Sequence, residues 1–323
     1  MENARYLYAI SFILLISNLV LAGALFKHLS MADKQTASYA DNTKTYSLLN
    51  PRISKIGKDN FVLMQEKFIP SYRVLKDNME SYLNKKEGTY AVYFEDLYSG
   101  AWIGIREQQA FAPASLLKIP VAAAIFKMSE DKEIDINKNI TIEKEDLGEE
   151  FGNLVYLGAQ NTYSAKELIE IMLRDSDNTA LNALSKQIGD RNIIEARLGL
   201  GLPISSITNR EIDIKVSAKQ MSNVLRTLYY SAYLNRENSQ ILLSALAGSH
   251  FDKWLKAGIP SQITIAHKFG IFIPDKNLHD CGIIYHPKRD YILCVMSTDV
   301  TNKETEKVMP AISKMVYEYV TEN

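Results

Sequence analysis

The spacing of apolar positions along the chain changes character several times, and each change predicts a different kind of element. Residues 6–26 carry no charge and are bracketed by Arg5 and Lys27. As a helix rising 1.5 Å per residue they would cross a hydrocarbon core of about 30 Å. Residues 28–57 are polar, mixed and without period, as in a linker. Apolar residues with helical spacing then return at 69–85, where Val74, Met79, Tyr82 and Leu83 are expected on one side. Residues 89–94 and 101–105 are β-rich around a Tyr98-Ser99-Gly100 turn and predict a hairpin.

From residue 115 to about 249 the period is mostly helical. Ser164-Ala165-Lys166-Glu167 is a capping-box pattern opening a helix through Leu173. A second helix is expected through residues 180–188, ending at Gly189. Further amphipathic stretches cover 217–234 and 239–246. Strands are expected again at 263–266, 282–285 and 291–296, and a last helix at 304–319. Strands, then helices, then strands predict an α+β fold: one antiparallel sheet flanked by N- and C-terminal helices, plus an all-helical lobe. The expected division is an anchor or signal segment at 1–27, a linker at 28–57 and a catalytic domain at 58–323.

Composition narrows the function classes. The chain has 323 residues and 46% hydrophobic content, ample for a sizeable core. Its 37 basic and 38 acidic residues give a net charge of −1 without a basic stripe, so nucleic acid is not an expected partner. The five histidines show no paired metal-ligand spacing, and neither metal nor cofactor is expected. Cys281 and Cys294 fall in neighbouring predicted strands. A disulfide is open to them, but buried free thiols are the favoured expectation. Ala22-Gly23-Ala24 would suit signal cleavage, yet the apolar run is long for a signal peptide. An uncleaved single-pass anchor with an extracytoplasmic, monomeric domain is therefore expected, or a secreted domain if the segment is cut.

Candidate chemistry centres on Pro113-Ala114-Ser115-Leu116-Leu117-Lys118-Ile119-Pro120, which opens an apolar helical run. Residues three apart share a helix face, so the Ser115 hydroxyl and the Lys118 amine can meet. A partly desolvated lysine can activate a serine as nucleophile without histidine or metal. Spacing alone decides nothing, because Ser129-Glu130-Asp131-Lys132 repeats it in a charged stretch that reads as a solvated helix end. Two later patterns add context. Arg174-Asp175-Ser176-Asp177-Asn178 lies between two helices, where Asp177 or Asn178 could equally serve as a helix cap. His267-Lys268-Phe269-Gly270 follows a β-rich run.

Taken together, these residues resemble the penicillin-recognising serine enzymes, the class A β-lactamases and the D-Ala-D-Ala peptidases, whose signatures are Ser-x-x-Lys, Ser-Asp-Asn and Lys-Thr-Gly. The likeness covers about residues 60–320, including the 89–100 hairpin, the SDNTALNALSKQIG run at 176–189 and the approach to Lys268 at 254–270. It implies Ser115 as acylated nucleophile and Lys118 as its base. Ser176 would relay a proton to the leaving group, Asn178 would hold a substrate amide, and Lys268 would bind a carboxylate. Gly270 would let substrate lie against the strand, and the backbone N–H groups of Ser115 and Ile271 would form the oxyanion hole.

Two departures matter. The Glu-x-x-Leu-Asn loop of class A enzymes is not found in residues 191–217: Glu195 reads as a helix residue and Glu211 as a loop charge. Acylation without efficient hydrolysis is therefore expected. Phe269 stands where the family has a hydroxyl, which weakens the carboxylate argument. The ring could point into the core, signal another substrate, or mark an inactive site. The implied activity is acyl transfer on β-lactams or D-Ala-D-Ala-type peptides. A non-catalytic cell-wall-peptide module and a serine hydrolase for other esters or amides are the alternatives.

Overall fold

The computed structural model describes residues 46–50, 71–149, 151–203, 207–208, 211–212, 214–273 and 276–323. Among them no helix is long and apolar enough to cross a membrane, and the expected anchor at 6–26 lies outside them.

Five antiparallel strands form the central sheet in the order β2-β1-β9-β8-β7. They are β1 (Thr89–Asp96), β2 (Trp102–Ile105), β7 (Ile265–Phe272), β8 (Asn277–Ile284) and β9 (Tyr291–Thr298). Alternation with period two sorts each strand between two cores. Tyr90, Val92 and Phe94 of β1, with Tyr291, Leu293 and Val295 of β9, pack on one face. That face is covered by α1 (Arg73–Leu83) and the C-terminal α8 (Asn302–Glu322). Ala91 and Tyr93, with Ile292, Cys294 and Met296, face the other core, beneath the helical lobe. The middle strands are thus buried on both faces.

The lobe contains α2 (Lys118–Glu130), the short α3 (Leu154–Leu157), α4 (Ala165–Arg174), α5 (Asn178–Gly199), α6 (Ala218–Tyr229) and α7 (Arg236–Ala247). It is not purely helical. Two small ribbons pair β3 (Asn139–Thr141) with β4 (Thr162–Ser164), and β5 (Ile207–Thr208) with β6 (Glu211–Ile212). The capping box at Ser164 and Glu167 opens α4 as expected. The helix that opens at Asn178 breaks at Gly189 as expected, where the backbone is non-helical (φ 71°), and a second helical stretch follows to Gly199.

Three sequence expectations need correction. Val74 is 59% exposed, and Leu75 takes the buried position with Met79 and Leu83. Residues 46–50, within the stretch read as linker, dock on the domain. Leu49 is buried there, Leu48 N–H donates to Gln240, and Tyr285 donates to the Leu48 carbonyl. Cys281 and Cys294 are joined by a disulfide and are not free thiols. The β8–β9 register sets them directly opposite on the lobe-facing side, with Cα atoms 3.9 Å apart.

Candidate active site

Ser115 lies in a 3₁₀ turn (Ala114–Leu117) that runs directly into α2, whose first residue is Lys118. Ala114 is held at φ 51°, a region that L-residues rarely occupy. Two contacts fix this turn. His279 of β8 donates from Nε2 to the Ala112 carbonyl at 2.8 Å and accepts from Ser297 N–H at its other nitrogen. Gly270 of β7 packs against the turn so closely that a Cβ there would sit 3.0 Å from the Pro113 carbonyl. The missing side chain therefore makes room for the turn carrying Ser115.

Between α4 and α5, Ser176 adopts φ 58° and is fully buried. Asp177 is the N-cap of α5: one oxygen accepts from Ala180 N–H at 2.9 Å and the other from Leu154 N–H at 2.9 Å. A Cβ on Gly152 would collide with this carboxylate, which locks residues 151–154 beside the cap. Asn178 donates from Nδ2 to the Glu149 carbonyl at 2.8 Å.

All three sequence patterns converge, and two of them meet at the Lys118 amine. Its Nζ lies 3.2 Å from Ser115 Oγ, 3.1 Å from Ser176 Oγ and 2.7 Å from Asn178 Oδ1, and also contacts the Ser176 carbonyl. Burial brings Lys118 down to about 8, opposed by Asp177. A neutral amine so placed can take a proton from one hydroxyl and pass it to the other. Lys268 is fully buried. Burial, then the nearby Lys118 charge, pushes it well below the ordinary lysine range, while Asp280 and Asp175 oppose. Ile271 lies half-buried on the edge strand β7.

Phe269 packs into an aromatic cluster of the core. Its ring stacks on Phe251 at 4.1 Å and meets Trp254 and Phe151 edge-on. The strand register is kept, with Phe269 opposite Asp280. The Ser129 and Lys132 repeat sits at the end of α2 with Lys132 exposed, as its charged surroundings suggested. Glu195 pairs with Arg191 on the exposed side of α5. Glu211 opens β6, and its side chain lies outside the described residues.

Sequence reasoning missed His279, the Glu149 carbonyl, and the rings of Phe151 and Phe251. A backbone acceptor leaves no sequence signal. The two phenylalanines did leave one, as lone aromatics within the polar runs GEEFGN and GSHFDK.

A family model described as the beta-lactamase enzyme family matches residues 74–320, and the chain belongs to that family. It is accordingly a serine hydrolase of the penicillin-recognising type. A beta-lactamase of Bacillus amyloliquefaciens is 26% identical over 240 residues, covering 71% of this chain and 76% of that protein. Among solved structures, PBP-A superposes with a TM-score of 0.72 at 24% identity over 80% of this chain and all of that one. A mutant of PBP-A, captured as its acyl-enzyme with penicillin G, gives 0.71. The TLA-3 extended-spectrum beta-lactamase gives 0.71 at 21% identity, covering 77% of this chain and 99% of that one. At these identities the structural likeness establishes the fold.

Proposed function

We propose that Ser115 is the acylated nucleophile of an enzyme that acts on β-lactams or D-Ala-D-Ala-type peptides and releases its acyl group slowly. The observation that carries this reading is the Lys118 amine, held by burial near neutrality between Ser115 Oγ and Ser176 Oγ. Lys118 takes the Ser115 proton as the Oγ–C bond forms, and Ser176 delivers a proton to the leaving nitrogen. Asn178 and Lys268 orient the substrate, and the Ser115 and Ile271 amides receive the developing oxyanion. Slow release follows from the absence of a Glu-x-x-Leu-Asn base in residues 191–217. The acyl-enzyme captured for the PBP-A mutant supports the first half of this cycle.

Time-resolved intact mass after mixing with penicillin G tests both halves. A stoichiometric adduct, lost in Ser115→Ala and persisting for many minutes, is expected. Rapid, burst-free turnover of a chromogenic cephalosporin would overturn the slow-release half.

The full burial of Ser176 and Lys268 favours one second reading, a cell-wall-peptide module without catalysis. Muropeptide binding that survives Ser115→Ala, with no adduct on the unaltered chain, would select it. We place the domain outside the cytoplasm as a monomer on a single anchor at residues 6–26. The length of that apolar run and the Cys281 and Cys294 disulfide support the placement.

A further inference from the structure

Ser176 sits in a turn that its own backbone does not favour. A φ of 58° at a serine persists only where neighbours impose it. From the α5 side the turn is held by the Asp177 cap and by Lys118 on the Ser176 carbonyl. From the α4 side it is held by residues 248–251, which follow α7 and belong to none of the three sequence patterns.

Arg174, the last residue of α4, donates from Nε to the Gly248 carbonyl at 3.2 Å and from Nη2 to His250 Nε2 at 3.0 Å. His250 Nδ1 lies 2.6 Å from Asp175 Oδ1, and the His250 backbone N–H donates to the Arg174 carbonyl. A guanidinium carries donors only, so Nε2 must accept. The imidazole proton therefore sits on Nδ1 and donates to Asp175. One neutral ring is thus bonded to both residues that precede Ser176. The segment also reaches the sheet: Phe251 stacks on Phe269 of β7 at 4.1 Å, and Leu255 N–H donates to Asp280 of β8 at 3.1 Å. Asp175 counters the burial that lowers the Lys268 amine, so fixing its carboxylate also fixes a charge near Lys268. The His250 side chain is 64% exposed and buries little apolar surface, so its effect is carried by these bonds.

We propose that His250 is a positioning residue of the acyl-transfer reaction, holding the Arg174-Asp175-Ser176 turn in the geometry that lets Ser176 protonate the leaving nitrogen. This rests on the acyl-enzyme reading above and specifies the step that the segment serves. As the Ser115 Oγ–C bond forms and the C–N bond of a β-lactam or peptide breaks, the proton taken by Lys118 passes through Ser176 to that nitrogen. A nitrophenyl ester needs no such delivery. Its C–O bond breaks to a stable phenolate while the proton stays on Lys118. Displacing Ser176 should therefore slow the first kind of donor and spare the second.

The test compares acylation of the whole chain by penicillin G and by p-nitrophenyl phenylacetate, followed by Ser115 adduct mass and nitrophenolate release. His250→Ala should take penicillin G about tenfold more slowly or worse, with the ester rate kept within about twofold. His250→Gln, which keeps one donor and one acceptor, should recover most of the loss. Adding His250→Ala to Asp175→Ala should cost nothing further, because the two act as one unit. An unchanged penicillin rate in His250→Ala, an equal loss with both donors, or no recovery in His250→Gln overturns this inference and leaves the acyl-enzyme reading standing. If the unaltered chain takes penicillin G but not the ester, the glutamine and double variants decide by themselves. No Ser115 adduct from either donor on the unaltered chain overturns both.

Discussion

Burial lowers Lys118 to about 8 while Asp177 pulls the other way, and the sign of the resulting pH dependence is fixed by which form is the base. Only the neutral amine accepts the Ser115 proton. Its share is roughly a hundredth at pH 6 and half at pH 8. Acylation of Ser115 should therefore rise about 50-fold over that interval and level off above it. Stopped-flow acylation by a chromogenic cephalosporin gives the profile, and a flat one between pH 6 and 8 would mean that Lys118 is not the base. Lys118→Met should remove the rise together with about 10²–10⁴-fold of the rate. The sequence put Ser115, Lys118, Ser176 and Asn178 forward as one candidate site, because each carries a side chain whose chemistry is specific, and the fold brings them together. It could not show that Lys118 contacts the Ser176 carbonyl and Asn178 at once, since that depends on Ser176 adopting φ 58°. The strain is a property of the turn between α4 and α5, not of any residue type.

At the scale of elements, legibility fails where a strand spends polar residues on the site. β9 alternates cleanly, and its expected span of 291–296 is nearly its true length. β8 is expected only from residue 282, yet it begins at Asn277. Asn277, His279 and Asp280 look like loop residues, but all are buried. Asp280 accepts from Leu255 N–H and pairs with His267, and His279 ties the Ala112 carbonyl to the sheet. The same happens on β7, whose read segment stopped at 266 just before Lys268 and Gly270.

The tie through His279 has a measurable cost in acid. Burial lowers its imidazole from 6.5 to about 4, so the unfolded chain takes up the proton first as pH falls. The stabilisation is complete above about 6.5 and is lost progressively towards 4, on the order of 3 kcal/mol in all. Urea midpoints measured across that window should fall more steeply for the unaltered chain than for His279→Asn. Parallel curves would show that the imidazole does not govern acid stability.

For the whole molecule, the pattern of apolar periods announced the layered architecture, because two cores on opposite faces of one sheet demand doubly apolar central strands. It could not announce the disulfide. Cys281 and Cys294 are 13 residues apart, and only the register of β8 with β9 decides whether they meet. A one-residue slip would place them on opposite faces. Since they do meet, on the lobe-facing side beneath the helices, the bond closes a short loop within the unit that carries Lys268 and His279. Closing a loop of that size stabilises a fold by about 2–3 kcal/mol in the chain-entropy account. Replacing both cysteines by alanine should lower stability by about that amount in urea titrations while leaving Ser115 acylation below the melting range unaltered in kind. The bond also reports location. In cells producing the whole chain, a thiol-reactive polymer applied after denaturation should add no mass unless a reductant comes first, as expected for a domain in an oxidising compartment. Two additions without reductant would mean that the cysteines are reduced in the cell, and the extracytoplasmic placement would fall with that result.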